Sequence, residues 1–143
     1  MNYFTSTKTH PVIGNTVLLL TRIFVGLAMM SHGLPKLQKL MDGGDVQFFD
    51  FLGMGASFSL ILAVFAEFFC SVFLMLGLFT RWASFFLMFT MAVAAFAAHG
   101  DAPFAEKEVA LLYMALYLML WALGPGKFSV DAMIGKKSYS SRW

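Results

Sequence analysis

Residues 16–37, TVLLLTRIFVGLAMMSHGLPKL, form a run long and apolar enough to cross a bilayer, and it carries an arginine inside it. A guanidinium facing hydrocarbon costs at least about 2.5–3.5 kcal/mol on insertion scales, so Arg22 has to face protein, water or a partner charge. That demand fixes which side of the helix is interior. At about 100° per residue, Arg22, Gly26, Met29, Gly33 and Lys36 share one stripe, whose glycines let a second backbone come close. Leu20, Phe24 and Leu27 fall on the opposite side and are expected to meet lipid.

The rest of the chain agrees with a membrane setting. Hydrophobic residues make up 59% of it and charged residues 13%, against about 25% charged in an average soluble domain. Mean hydropathy is +0.75. The expected fold is an all-α membrane protein, a four-helix transmembrane bundle. The division expected is a polar N-terminal leader (1–15), a four-helix domain (16–134) and a basic C-terminal tail (135–143). The leader lacks the apolar core and cleavage site of a signal peptide, so the first span is read as its own insertion signal. A single cysteine, Cys70, in an apolar run is read as a small buried hydrophobe, and no metal site is expected. A net charge of +2 with scattered basic residues gives no footprint for nucleic acid.

In chain order, the first helix is expected over 16–33 with Pro35 marking its end. Residues 36–56 are too polar to span yet rich in phenylalanine, which predicts a short interfacial or re-entrant helix capped by Asp45 after the Asp42-Gly43-Gly44 break. A second span over 58–79 carries Glu67 near its centre. A third covers 82–99 with an alanine-rich packing face, and a fourth covers 108–123. The tail contains one amphipathic turn with Ser129 as its cap. Lys8, Arg81, Lys127, Lys136, Lys137 and Arg142 fall on the side of both termini, against Lys36, Lys39 and Lys107 on the other, so the termini are expected in the cytoplasm.

Few ionisable groups lie in the spans, and their depth directs the functional reading. Glu67, mid-span, needs a proton or a partner. An Arg22–Glu67 ion pair is expected, serving first to fix the register of two helices and second to tune protonation in a pocket. His32 and His99, with Lys36 and Glu108, stand at the opposite end of the bundle from the termini. The two imidazoles can bracket a quinone carbonyl, ligate haem or simply donate to terminal carbonyls, and haem is the less favoured ligand. Tyr113, Tyr117 and Trp121 repeat every fourth residue, a packing stripe that can also wall a flat aromatic pocket.

Arg22-Ile-x-x-Gly26, His32-Gly33-Leu-x-Lys36-Leu37, Glu67 followed by Leu-x-Leu-Gly-Leu-Phe-Thr-Arg81, His99-Gly100, Glu108-x-Ala110-Leu-Leu-Tyr113 and Gly124-Pro125-Gly126-Lys-Phe-Ser-Val-Asp131 stand in this order. Together they resemble the DoxX family of small four-helix membrane proteins over about residues 16–134. The resemblance implies quinone or thiol redox chemistry at a bacterial cytoplasmic (inner) membrane. It matches recurrent polar positions to Arg22, His32, Lys36, Glu67, Arg81, His99, Glu108, Tyr113 and Asp131 without assigning them a mechanism.

Two functions are therefore carried forward. The first is a membrane component of a quinone-linked redox or quinone/thiol detoxification system, a possible quinone oxidoreductase subunit. Its catalytic candidates are Glu67, Arg22, His32 and His99, and its ligand-binding candidates Lys36, Glu108, Tyr113 and Tyr117. With no flavin, iron–sulfur or thiol motif, such a chain needs a bound cofactor or a redox partner protein. The second is a non-catalytic membrane adaptor subunit or small-solute carrier, for which a homo-oligomer is the expected assembly.

Overall fold

The computed structural model describes residues 10–140, which are mainly helical, with no strand among the described residues. Five helices follow one another: α1 (Pro11–Asp42), α2 (Ala56–Leu76), α3 (Thr80–Ala98), α4 (Phe104–Leu123) and α5 (Val130–Ser140). The leader before His10 and the last residues of the tail, with Lys8 and Arg142, lie outside the described residues. Three helices, α1, α2 and α3, are long and apolar enough to cross a membrane. Helix α4 has twenty residues, but Glu106, Lys107 and Glu108 in its opening turns confine its uninterrupted apolar run to 109–123.

The connections at 43–55, 77–79 and 99–103 turn the chain back each time, so α1 to α4 run alternately up and down. α1 packs along α2, α2 meets α3, and α3 lies closely against α4, which touches α1 more lightly. The core runs between them through Val25, Met29, Cys70, Leu74, Leu87, Tyr117 and Leu120. We call the end carrying the 43–55 and 99–103 connections the loop end, and the end carrying residues 77–79 and 124–129 the cap end.

Helix α1 departs from the sequence expectation at both ends. It starts at Pro11, a proline being suited to the first turn, and continues through Pro35 to Asp42 for 32 residues. At about 1.5 Å per residue this is roughly 48 Å, longer than the hydrocarbon thickness. Pro35 removes one N–H from the ladder, and a helix packed on its neighbours tolerates that loss. The expected interfacial or re-entrant helix is absent: residues 36–42 prolong α1, and 43–55 are irregular, with Asp45 capping nothing. Helix α4 begins four residues earlier than expected, at Phe104 rather than Glu108.

The glycine stripe works as the sequence implies. A Cβ on Gly33 would sit 2.8 Å from the carbonyl carbon of Glu67, and one on Gly26 would sit 3.1 Å from the Ser71 carbonyl oxygen. The two backbones therefore touch along one line, and this line sets the register of α1 on α2. Arg22, Val25, Gly26, Met29 and Gly33 are buried on that face, while Leu20, Phe24 and Leu27 are exposed on the other.

Two helices loosen into π turns, at Phe65–Cys70 in α2 and at Ala94–Ala98 in α3. The second ends with the His99 N–H donating to the Ala94 carbonyl, five residues back, at 3.1 Å. In the first, the Ser71 hydroxyl donates to the Glu67 carbonyl at 2.8 Å. Such turns are rare and concentrate at functional sites.

Candidate functional site

At the loop end, α1 delivers Lys36 and α2 delivers Glu67. The Lys36 ammonium donates to both carboxylate oxygens of Glu67, at 2.5 and 2.6 Å. The acid is buried and the lysine side chain about one-third exposed. This is the only salt bridge found among the described residues. A carboxylate so buried is stable only because the ammonium is held against it. Gly33, one helical turn before Lys36, lets α1 come close enough for that contact.

The expected Arg22–Glu67 ion pair does not form. Arg22 lies eleven residues before Gly33, about 16 Å along the helix, and Gly33 is the residue that faces Glu67. The guanidinium is fully buried at the cap end instead. Its Nη1 donates to the Pro125 carbonyl at 2.6 Å and its Nη2 to the Phe128 carbonyl at 2.5 Å. Around it the end of the bundle is tied together. Gly77 closes α2 in a left-handed conformation, with Leu78 N donating to Phe73 O at 2.9 Å and Gly77 N to Leu74 O at 3.1 Å. The Asp131 carboxylate accepts from the N–H groups of Phe79 and Thr80 at 2.8 and 2.9 Å, serving the free donors at the start of α3. Ser129 caps α5, accepting from Ala132 N at 3.1 Å, as the sequence leads one to expect. Arg22 is thus a structural cation, and it lines neither cavity described next.

Two cavities meet at the Lys36–Glu67 pair. The larger, about 520 Å³, lies between α2 and α3 beneath the 43–55 connection, and Phe48, Phe51, Phe65, Phe86 and Phe89 supply much of its wall. Lys36, Glu67 and His99 are the charged or titratable side chains in its lining. The connection is held over the cleft by specific contacts. Lys39 donates to the Gln47 carbonyl, Phe51 N donates to Ser59 Oγ at 3.0 Å, and the Phe51 and Phe89 rings meet edge to face at 6.1 Å. The Phe48 ring lies 5.7 Å from Lys36 Nζ, a cation–π approach.

The smaller cavity, about 270 Å³, lies on the other side of the pair, lined by His32, Lys36, Glu67, His99, Glu106, Lys107 and Tyr113 among others. The structure therefore gathers Glu67, His32, His99, Lys36 and Tyr113 from the sequence candidates. Glu108 is exposed and lines neither cavity; Glu106 takes its place. Positions 106 and 108, two residues apart, differ by about 200° around the helix, and Glu106, Ala110 and Tyr113, at spacings of four and three, share the inward face. That spacing was the signal available in the sequence. Tyr117 also lies outside both cavities. It is buried and stacks on Tyr113 with ring centroids 6.1 Å apart. Its hydroxyl, Thr80 Oγ1, Ser84 Oγ and Arg22 Nε are buried without a partner among the described residues.

His99 closes the π turn of α3, with Nδ1 2.9 Å from the Ala94 carbonyl oxygen. Among the described residues no three His, Cys, Asp or Glu side chains come together as a metal site.

An all-helical membrane protein with an ion pair and two histidines around cavities at one end of its bundle is the class these features define. The chain belongs to the DoxX family, whose model matches residues 17–100. That span includes Arg22, His32, Lys36, Glu67 and His99 and stops before α4. No curated protein and no solved structure matches the chain.

Proposed function

We propose that this DoxX protein binds a quinone-like aromatic in the larger cavity, as the membrane-embedded component of a quinone-linked redox or quinone/thiol detoxification system. The observation that carries the reading is the cavity's composition: about 520 Å³ walled by aromatic rings, with Lys36, Glu67 and His99 gathered as its charged or titratable groups. Its volume lies in the usual range for small-ligand sites, about 300–1,000 Å³. Leu62, Phe65, Phe86 and Phe89 line it and are also exposed on the outside of α2 and α3, so a lipid-soluble ligand has a lateral way in.

In this reading the ring stacks among the phenylalanines, and Lys36 and His99 donate to a carbonyl oxygen. Glu67 gives or takes a proton at that oxygen. Electrons come from a redox partner protein or a bound cofactor, the sequence carrying no flavin, iron–sulfur or thiol motif. The same proposal takes α4 as a fourth span, with both termini in the cytoplasm of a bacterial inner membrane. The adaptor or carrier alternative draws on the cap end, where Arg22 and Asp131 serve only to hold helix ends together.

Titrating purified protein in nanodiscs with a short-tailed quinone, followed by quenching of intrinsic fluorescence, tests the reading. Saturable binding, weakened at least about tenfold by Glu67→Gln and by cavity-filling Ala63→Trp, supports it. No saturable quenching, with pH-dependent solute flux lost in Glu67→Gln, supports a carrier instead.

A further inference from the structure

The Lys36–Glu67 pair and His99 belong to both cavities, so they form the partition between an aromatic chamber and a polar one. The polar chamber is at the loop end, and His32, His99 and Glu106 on its lining are exposed. Towards the cap end Val25, Cys70, Leu74, Leu87 and Leu120, each 2% exposed or less, close the bundle. The smaller cavity thus gives Glu67 a polar approach from the loop end. Crossing the apolar layer of Val25, Leu74, Leu87 and Leu120 would be costly for a charge.

We infer that the smaller cavity is an aqueous vestibule through which Glu67 exchanges protons with the membrane face of the 43–55 and 99–103 connections, with His99 as the relay. The inference rests on the quinone reading only for what the proton is used for. About 270 Å³ has room for several water molecules. A carbonyl oxygen can only accept, so the 2.9 Å contact to Ala94 places the hydrogen of neutral His99 on Nδ1 and leaves Nε2 free to take a proton. In the transfer, the N–H bond at Nε2 breaks and an O–H bond forms on the Glu67 carboxylate, the proton passing through water in the vestibule. Lys36 stays an ammonium and keeps the carboxylate oriented. The other titratable groups around this site are His32 from α1 and Glu106, Lys107 and Tyr113 from α4, with buried Tyr117 behind Tyr113.

Two measurements on the full chain test this. In a Cys70→Ala background, single cysteines are placed at Ala110 and His32 in the vestibule and at Ala63 in the aromatic chamber. The protein is reconstituted in vesicles and exposed to a charged methanethiosulfonate from either face. Ala110→Cys and His32→Cys are expected to react from the loop-end face only, and Ala63→Cys to resist the charged reagent from either face, because a thiol must meet water to ionise. Vestibule cysteines that stay unreactive, or that react from the cap-end face, overturn the inference. Next, infrared detection of the Glu67 carboxyl band after an acid jump, assigned by its loss in Glu67→Gln, follows proton arrival. His99→Gln is expected to slow arrival about tenfold or more, with imidazole in the buffer restoring it. An unchanged rate in His99→Gln removes the relay. A reactive vestibule in a protein that fails to bind quinone leaves this inference standing and overturns the ligand reading instead.

Discussion

The ammonium of Lys36 lies 2.5 and 2.6 Å from the two carboxylate oxygens of Glu67, joining α1 to α2 where the second helix widens into a π turn. The pair is asymmetric: the acid is buried, while the lysine side chain keeps about one-third of its exposure.

That asymmetry predicts unequal mutants. Glu67→Gln leaves an ammonium that can rehydrate from the polar cavity, and should cost about 1–2 kcal/mol. Lys36→Met strands a buried carboxylate and should cost about 3 kcal/mol or more. Thermal unfolding in detergent at neutral pH ranks them; equal losses would place the pair in water rather than in the bundle.

Gly33 and Gly14 offer a matched contrast on one helix. Alanine at 33 drives its methyl against the Glu67 backbone, at 2.8 Å from the carbonyl carbon, and should destabilise by about 1–3 kcal/mol. Gly14 has nothing within 4 Å of the same position, so Gly14→Ala should be neutral or gain up to about 1 kcal/mol. Chemical unfolding of the two variants reads the difference, and Gly33→Ala should also weaken quinone binding by shifting Glu67.

Arg22 is a test of the division between the two ends. Arg22→Met removes two hydrogen bonds to the 124–129 loop and should cost about 3 kcal/mol. Arg22→Lys, with a single nitrogen, cannot reach both carbonyls in the same way and should lose about half as much. At temperatures where each variant stays folded, quinone affinity should be unchanged within about twofold. A tenfold affinity loss in folded Arg22→Lys would return Arg22 to the binding site.

Asp131 holds the start of α3 through two backbone N–H groups, so Asp131→Ala should cost about 1–2 kcal/mol. Asp131→Asn keeps one acceptor oxygen and should recover part of that. Hydrogen exchange at Phe79 and Thr80 should speed up in Asp131→Ala and only partly in Asp131→Asn.

What could be read from the chain and what could not divide along one physical line. The burial of Arg22 and the inward glycine stripe follow from local periodicity and the cost of charge in hydrocarbon, and both are found. The partner of Arg22 depends on how far α1 slides along α2. Contact between Gly33 and the Glu67 backbone sets that register, and no spacing within either segment encodes it. Reading Pro35 as a helix end followed the cost of one lost hydrogen bond, which neighbouring helices offset. The π turns left no periodic mark, because one extra residue in a uniformly apolar run changes nothing in its pattern. His32, His99 and Lys36 were legible as a group because they share a depth, and Glu108 was read with them; choosing Glu106 over Glu108 needed only the helical angle to Tyr113.

The most direct measurement is photoaffinity mapping with an azidoquinone in native membranes. A ligand in the larger cavity should label the segments around Phe48–Phe51 and Phe86–His99, with labelling lost to excess unlabelled quinone and in Ala63→Trp. Label concentrated on the outward face of α1 at Leu20, Phe24 and Leu27, or undiminished in Ala63→Trp, would contradict a quinone site beside Lys36 and Glu67.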